Sequence, residues 1–231
     1  MQEDAIRVSR IRRRIDELAE LDETDGEGLT CLAYSPDENR AFAYLREELP
    51  DDYTVWTDSL GNLFATRDPG FDRALFVGSH LDTVYNGGRF DGRLGVVAAL
   101  EAIESAHTTY SSLPLPVVLA VFRAEEASRF DVGTIGSRGA LGMLSDHHLE
   151  ATDERGVTLS EAMEHAGCTP PSDSPAPTLN FDDVAGFVEV HIEQGPVLAE
   201  TGSNVGIVSD IRGPVRYRVT VSGTPGHSGA T

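Results

Sequence analysis

Ala74-Leu-Phe-Val-Gly-Ser-His80 is an apolar run that ends on a histidine, and two similar runs follow it in the chain. Val117-Val-Leu-Ala-Val-Phe122 leads into the acidic pair Glu125-Glu126. Gly186-Phe-Val-Glu-Val-His191 again ends on a histidine. Short apolar runs bounded by glycine, proline and charged residues are typical of buried strands. Chemistry in open α/β sheets gathers at the carboxyl ends of the strands, so these runs predict a metal site at one sheet edge.

The segments around these runs predict an α/β fold, a mixed sheet with flanking helices. Apolar residues at helical spacing over 8–18 and a Ser-Pro-Asp-Glu helix start at Ser35 predict two amino-terminal helices, the second reaching residue 49. Further helices are expected over 92–106, 136–144 and 159–166, and further strands over 53–56, 62–66 and 203–211.

The domain organisation is predicted from a change in strand type. Residues 145–181 have the composition of a loop, apart from the helix over 159–166. Arg216-Tyr-Arg-Val-Thr-Val-Ser222 alternates polar and apolar side chains, as half-exposed strands do. We therefore expect a boundary near residues 212–214, with a metal-binding catalytic domain over 1–212 and the start of a second domain over 213–231.

The charge and composition exclude several classes of partner. The net charge is −20, and all 18 basic residues are arginine. Such an acidic chain repels nucleic acid and anionic membranes. It has no apolar stretch of spanning length and no signal-peptide pattern at its start. Cys31 and Cys168 match no metal or redox spacing, so we expect reduced thiols and a cytoplasmic protein.

The absence of lysine has two interpretations. One is an acidic, soluble enzyme of no special habitat. The other, which we favour, is a halophilic protein from a salt-rich cytoplasm. At ~1 M ionic strength the Debye length is about 3 Å, so repulsion between surface carboxylates is largely screened.

Two aspartates beside the first run are candidates for the metal site. Asp82 stands two residues after His80 and could fix the tautomer of a ligating imidazole, although local hydrogen bonds at a strand end would also explain the pair. Asp91 lies between glycines before a predicted helix. It could bridge two cations, or it could be the N-cap of that helix.

The other candidate residues also have structural alternatives. Adjacent Glu125 and Glu126 point apart, so one could bind metal while the other acts as a base, but a solvated acidic corner is an alternative. His191 could be a ligand or a core histidine satisfied by the backbone. His227 lies in a loop of small residues that could reach a ligand or form a flexible tail.

Together these motifs resemble the hydantoinase/carbamoylase family of amidases, a branch of the dinuclear metallopeptidases related to carboxypeptidase G, aminoacylase and acetylornithine deacetylase. The similarity runs from the amino-terminal helix to the last residue and is carried by six matching segments. The part His191-Ile-Glu-Gln-Gly-Pro196 separates carbamoylases and allantoate amidohydrolases from the peptidase and deacetylase branches. The matching segments are Gly78-Ser-His-Leu-Asp-Thr83, Gly87-Gly-Arg-Phe-Asp-Gly92, Phe122-Arg-Ala-Glu-Glu-Ala-Ser-Arg-Phe130, Gly136-Ser-Arg138, Val190-His-Ile-Glu-Gln-Gly-Pro196 and Gly226-His-Ser-Gly-Ala-Thr231.

The resemblance implies a zinc-exopeptidase type of sheet (phosphorylase/hydrolase-like) and a role for each motif residue. His80, Asp91 and His191 would hold one divalent metal ion, and Asp91 would bridge to a second ion that Glu126 also binds. Glu125 would be the general base, and Asp82 would support His80.

Substrate contacts and the partner subunit also follow from the resemblance. His227 would stabilise the oxyanion in the neighbouring subunit of a homodimer, and Gln194 is a weaker candidate for substrate contact. The substrate would be a small ureido molecule, such as an N-carbamoyl amino acid, cleaved to the amino acid, ammonia and carbon dioxide. The donors suit Zn, Mn, Co or Ni.

The chain departs from the family pattern at Arg93 and Ala127, and more seriously in length. Relatives continue through an α+β lid and dimerisation domain and then return to the catalytic domain with a last metal-binding histidine. The resemblance therefore implies a truncated enzyme, and we expect weak or no turnover from residues 1–231 alone. Allantoate amidohydrolase, β-ureidopropionase, a related peptidase or deacetylase, and an inactive remnant stay open as alternatives.

Overall fold

A computed structural model describes residues 6–22, 28–171 and 177–211, together with 213, 219, 220, 222, 223, 226 and 229. The chain divides into two compact units, Met1–Ile192 and Glu193–Thr231. The boundary predicted near residues 212–214 falls where only Gly213 is described, so it stays a prediction.

A mixed sheet forms the centre of the first unit, in the strand order β1-β2-β4-β3-β5. The central strand β3 runs parallel to β4 on one side and to β5 on the other, while the β1–β2 and β2–β4 pairs are antiparallel. The strands are β1 (Thr54–Thr57), β2 (Leu63–Thr66), β3 (Ala74–His80), β4 (Val117–Phe122) and β5 (Val184–Val188). The predicted α/β class with a mixed sheet is confirmed.

Three helices cover one face of this sheet: α1 (Val8–Glu20), α2 (Pro36–Glu48) and α3 (Arg93–Thr109). Alternate strand residues, such as Leu119 and Val121, pack against them in the largest apolar cluster. The residues between, such as Val118 and Ala120, point to the opposite face and join a second cluster around Phe64 and Phe76. Successive residues of β4 point to opposite faces of the sheet, and both faces are buried. The sequence of β4 is therefore a continuous apolar run.

Smaller elements follow β4. They are α4 (Ile135–Ala140), α5 (Asp146–Leu149), α6 (Leu159–His165), a 3₁₀ turn (Phe181–Asp183) and, in the second unit, α7 (Val197–Thr201). Helices α4 and α6 pack against the segment after β4 through a third apolar cluster that includes Ala124, Ile135 and Leu159. Among the described helices, none is long and apolar enough to cross a membrane.

Several predicted elements are wrong in extent or kind. No strand forms over 203–211, because pairing along a neighbouring strand is what makes a strand and the described residues give this segment none. Strand β5 ends at Val188, since its last pairing is with Val77 of β3, and the helix expected over 136–144 stops at Ala140. The loop expected over 145–181 contains α5. Most of the strand expected over 216–222 lies outside the described residues.

Candidate metal centre

The carboxyl ends of β4, β3 and β5 lie side by side, because these three neighbouring strands are parallel. His80 ends β3 and is in register with Phe122, the last residue of β4. Beyond these ends, donor atoms of two groups come within 4.8 Å of one another: His80 with Asp91 and His191, and His80 with Glu125 and Glu126. His80 therefore belongs to both groups.

The first group joins two imidazoles to one carboxylate. The Nε2 atom of His191 lies 3.0 Å from Oδ1 of Asp91. Its other ring nitrogen, Nδ1, lies 2.6 Å from the carbonyl oxygen of Ile192. A carbonyl can only accept, so Nδ1 carries the proton and Nε2 is left with a lone pair that faces the carboxylate. This tautomer is the one that a metal ligand requires.

His80 has the same arrangement in a more buried place. Its Nδ1 donates to the carbonyl oxygen of Asp82 at 3.0 Å and lies 3.5 Å from Oδ1 of that residue. Its Nε2 lies 3.8 Å from Oε2 of Glu125. Local hydrogen bonds at the strand end therefore fix the tautomer that exposes Nε2. The role of Asp82 as the support of a metal-ligating imidazole stays a prediction.

The chain reaches Asp91 through a turn that fits closely around His80. Helix α3 begins at Arg93, and its N-cap is Gly92, with no side-chain cap. The alternative that Asp91 caps this helix is therefore wrong, and its carboxylate faces His191 instead. A Cβ on Gly92 would lie 2.4 Å from ring atoms of His80, and the φ of +65° also favours glycine.

The second group places two half-buried carboxylates beside His80. Burial raises the pKa of Glu125, and the charges of Asp82, Glu189 and Asp91 raise it further against the opposing effect of His80. Burial likewise raises the pKa of Glu126 to about 7, with nearby acids adding to it. Carboxylates gathered at this density need a positive charge among them.

The imidazole of His80 supplies that charge when it is protonated. Burial lowers its pKa, but the hydrogen bond to Asp82 and the charges of Asp82 and Glu125 outweigh burial and raise the pKa to about 10. A divalent cation would meet the same demand and leave His80 neutral as a ligand. Imidazole and carboxylate donors at these separations fit Zn, Mn, Co or Ni. No group of three among the described residues contains both Asp91 and Glu126, so the bridging role of Asp91 stays a prediction.

A cavity of about 320 Å³ opens beside this cluster. His80, Glu125 and Glu189 contribute to its wall, and the rest of the lining is mainly apolar. The other lining residues are Phe76, Ser79, Phe122, Thr134, Ser137, Leu141, Leu179, Phe181, Val184 and Phe187. The cavity therefore offers an apolar volume in direct contact with the candidate base.

The roles of the two remaining site residues, Gln194 and His227, stay predictions. Gln194 lies in the second unit, exposed, with a left-handed φ of 57°. His227 lies outside the described residues.

Sequence reasoning missed three buried polar residues that hold the segments carrying the site. Arg93, noted only as a departure from the family pattern, is fully buried and donates to the carbonyl oxygens of Leu81 and Leu18. Glu38 and Asn62 bind the segment that follows β4. In the sequence, Glu38 has the pattern of a helix start, and Asn62 that of a strand residue after a turn.

Comparison with known proteins agrees with this geometry. Residues 76–229 match the family model described as peptidase family M20/M25/M40. The chain belongs to this family. Because the match covers His80, His191 and the segment between them, the candidate metal centre lies in the part of the chain that the family model describes.

Two curated proteins illustrate what the chain is similar to. An N-carbamoyl-L-amino acid amidohydrolase of Geobacillus stearothermophilus is 38% identical over 98% of this chain and 56% of its own length. An allantoate deiminase of Arabidopsis thaliana is 36% identical over 84% of this chain and 38% of its own length.

A solved structure with the same fold supports the comparison. A hydantoinase/carbamoylase family amidase from Burkholderia ambifaria has a TM-score of 0.74 and 34% identity, over 85% of this chain and 48% of that one. The chain spans about half the length of the relatives that it matches.

Proposed function

We propose that this protein is a metal-dependent amidohydrolase that cleaves the ureido C–N bond of an N-carbamoyl amino acid. The observation that carries the proposal is His80, shared between two groups of metal-type donors with Glu125 beside it. The relatives named as amidohydrolases of carbamoyl amino acids support the same reaction. Allantoate and N-carbamoyl-β-alanine are the alternative substrates.

The proposed ligands are His80, Asp91, Glu126 and His191, which would hold two divalent ions. When bound, the ions polarise the substrate carbonyl and lower the pKa of a water molecule. Asp82 keeps the Nδ1 proton of His80 in place, so that Nε2 stays available to the ion.

Glu125 acts as the general base. Its carboxylate takes a proton from the attacking water and returns it to the leaving nitrogen as the C–N bond breaks. The raised pKa of this carboxyl suits both steps, because a base of higher pKa holds the proton more firmly before passing it on. One water molecule is consumed for each amino acid, ammonia and carbon dioxide released.

Two further roles belong to the proposal. His227 would donate a hydrogen bond to the developing oxyanion in the partner subunit of a homodimer, and Gln194 would contact the substrate. A donor aimed at an oxyanion contributes strongly to catalysis, since it stabilises charge that exists only in the transition state.

The cavity favours carbamoyl amino acids that have an apolar side chain. Its apolar walls begin at His80 and Glu125, so a substrate whose ureido group meets these residues can place a neighbouring side chain in it. Burying a side chain of leucine or phenylalanine size contributes about 1.5–3 kcal/mol. Allantoate and N-carbamoyl-β-alanine have no apolar group that would gain this.

The test is hydrolysis by purified residues 1–231, stripped with a chelator and reloaded with Zn, Mn, Co or Ni singly. Substrates are N-carbamoyl-L-phenylalanine, N-carbamoylglycine, N-carbamoyl-β-alanine, allantoate and an N-acetyl amino acid. Release of ammonia and free amine is followed. We expect turnover that is weak, because the chain spans about half the length of its relatives, that depends on the metal, and that is fastest with the phenylalanine derivative. Glu125→Gln should retain metal and lose turnover by about 10²-fold or more.

A matched control is Glu47→Gln, which makes the same change of charge at an exposed acid of α2. It should leave both metal content and turnover unchanged. Metal-loaded protein that hydrolyses none of these substrates would contradict the proposal and favour a chain that binds metal without turnover. Faster cleavage of the N-acetyl amino acid would favour a deacetylase.

A further inference from the structure

Residues 123–126 follow β4, and each of their four backbone N–H groups donates a hydrogen bond to a side-chain oxygen. The N–H groups of residues 123–126 meet a side-chain oxygen of Asn62, of Glu38 and, for the last two, of Asp82, and all three acceptor residues are fully buried. The bonds run from Arg123 to Asn62 (2.9 Å), Ala124 to Glu38 (2.9 Å), Glu125 to Asp82 (3.0 Å) and Glu126 to Asp82 (3.0 Å).

The carbonyl groups of the same segment are bonded as well. The carbonyl oxygens of residues 123–125 accept from the backbone N–H groups of Gly136, Ile135 and Thr134 at 2.9, 3.0 and 2.7 Å. A Cβ on Gly136 would lie 2.4 Å from the carbonyl oxygen of Arg123, so only glycine permits this approach. The backbone that carries Glu125 and Glu126 is therefore fixed from both sides.

Glu38 differs from the other acceptors because it comes from a helix distant in sequence. Ser35-Pro-Asp-Glu38 is also the pattern of a capping box, in which the glutamate would bond back to the N-cap backbone. Here Oε2 accepts from the backbone N–H of Tyr34 at 2.6 Å and from the guanidinium of Arg123 at 3.0 Å, while Oε1 accepts from Ala124. Helix capping explains none of the contacts with residues 123 and 124.

The residue that Glu38 holds has an unfavourable backbone conformation. Ala124 has a φ of 51°, in the left-handed region that residues with a Cβ rarely adopt. Such a conformation persists only where the surroundings hold it in place. The backbone dihedral angles of Ala124 set the directions in which the side chains of Glu125 and Glu126 leave the backbone.

We propose that Glu38 is a positioning residue of the metal centre: through Ala124 and Arg123 it fixes the directions of Glu125 and Glu126 towards His80. The inference rests on the proposed metal site and extends it to α2. Glu38 itself touches neither metal nor substrate. Its loss would let the segment leave the left-handed turn, and Glu126 would meet the ion less well.

The test compares Glu38→Gln with Glu101→Gln by Co²⁺ titration of purified residues 1–231. Glu101 is a matched control because it is equally buried and paired with an arginine, Arg10, but on α3 and against α1. We expect Glu38→Gln to weaken Co²⁺ binding roughly tenfold or more and to change the visible d–d spectrum of the bound ion. Glu101→Gln should lower thermal stability and leave affinity and spectrum as in the wild type.

Each result has a defined meaning. Equal affinity and spectrum in the two variants would overturn the positioning role while leaving the metal site intact. A wild-type chain that binds no Co²⁺ would overturn the proposed function and this inference together. If Glu38→Gln does not fold, Glu38→Asp replaces it, since it keeps the charge but withdraws the carboxylate by one methylene. The same loss of affinity is expected of it, and unchanged Co²⁺ binding would overturn the inference.

Discussion

At the scale of single residues, His80 is the point at which the candidate site converges. It is buried, and its Nδ1 donates a hydrogen bond to the carbonyl oxygen of Asp82. It belongs both to the group with Asp91 and to the group with Glu125 and Glu126. Against the effect of burial, the hydrogen bond to Asp82 and the charges of Asp82 and Glu125 raise the pKa of its imidazole to about 10, so this place favours a positive charge. A metal ion would satisfy that preference without protonating the ligand.

Replacing Gly92 with alanine should disturb the position of the His80 ring and weaken metal binding. The new Cβ would lie 2.4 Å from His80 ring atoms in a backbone of φ +65°, so the ring must move or the turn must change. We expect a loss of about 1–3 kcal/mol in the free energy of unfolding, together with weaker Co²⁺ binding. Thermal unfolding and Co²⁺ titration measure the two effects.

Gly88→Ala is the matched control for this substitution. Gly88 belongs to the same loop, and a Cβ there meets nothing within 4 Å. Its stability and Co²⁺ affinity should be those of the wild type. If Gly92→Ala behaved as Gly88→Ala does, the close fit of this turn around His80 would be irrelevant to the site.

At the scale of elements, arginine–carboxylate pairs join the three helices that cover the sheet. Arg14 of α1 bonds to Glu48 of α2 and to Glu104 of α3, each at 2.9 Å. Arg13 adds a second contact with Glu48. Arg14 is almost fully buried, so these pairs are screened less than exposed ones and contribute more to stability.

Glu48→Gln should destabilise the protein in a pH-dependent way. The hydrogen bond from Arg13 lowers the pKa of Glu48 below its usual 4.5, against the effect of burial and with help from Arg14. A lowered folded pKa gives stability that is present above about pH 4.5 and lost as the pH falls through the folded value. At neutral pH we expect a loss of about 1 kcal/mol, or about 2–4 °C in the melting temperature.

Melting curves recorded from neutral pH down to below pH 4.5 test this expectation. The difference between wild type and Glu48→Gln should shrink as the pH falls, because the wild-type carboxylate becomes protonated. Glu47→Gln, at the exposed neighbouring position, should melt like the wild type throughout. A difference of constant size would show that packing, and not charge, accounts for the effect.

At the scale of the entire chain, we expect net charge to make the stability of the folded state depend on salt. A net charge of −20 without any lysine means that carboxylates repel one another over much of the surface. The Debye length is about 30 Å at ~0.01 M salt and about 3 Å at ~1 M, so salt decides how far this repulsion reaches. Self-repulsion of this kind opposes the compact state.

Dialysis from molar to millimolar salt should therefore unfold the protein. Far-UV circular dichroism should show helix loss at low salt and recovery when NaCl is restored. Sucrose, which strengthens burial but does not screen charge, should restore less structure than NaCl at equal osmolality. An unchanged spectrum at millimolar salt would contradict the interpretation of the chain as halophilic.

Local patterns in the sequence are enough to predict the strands that create the site. Apolar runs ending in His80 and Phe122 are strands because β-branched and aromatic residues pack on both faces of a buried sheet. Period-2 and period-3.6 patterns are local, so they predict such elements. The same local signal failed over 203–211, where apolar residues are present but no strand among the described residues pairs with them.

Which side chains meet depends on how the elements pack in three dimensions. Local sequence alone favours Asp91 as a helix cap over a ligand, and only the parallel pairing of β3 and β5 brings His191 to it. Glu38 reads as part of a helix start, and only the packing of α2 turns its carboxylate towards Ala124. The physical reason is that hydrogen bonds and ion pairs act over a few ångströms in space, at separations along the chain that no local pattern records.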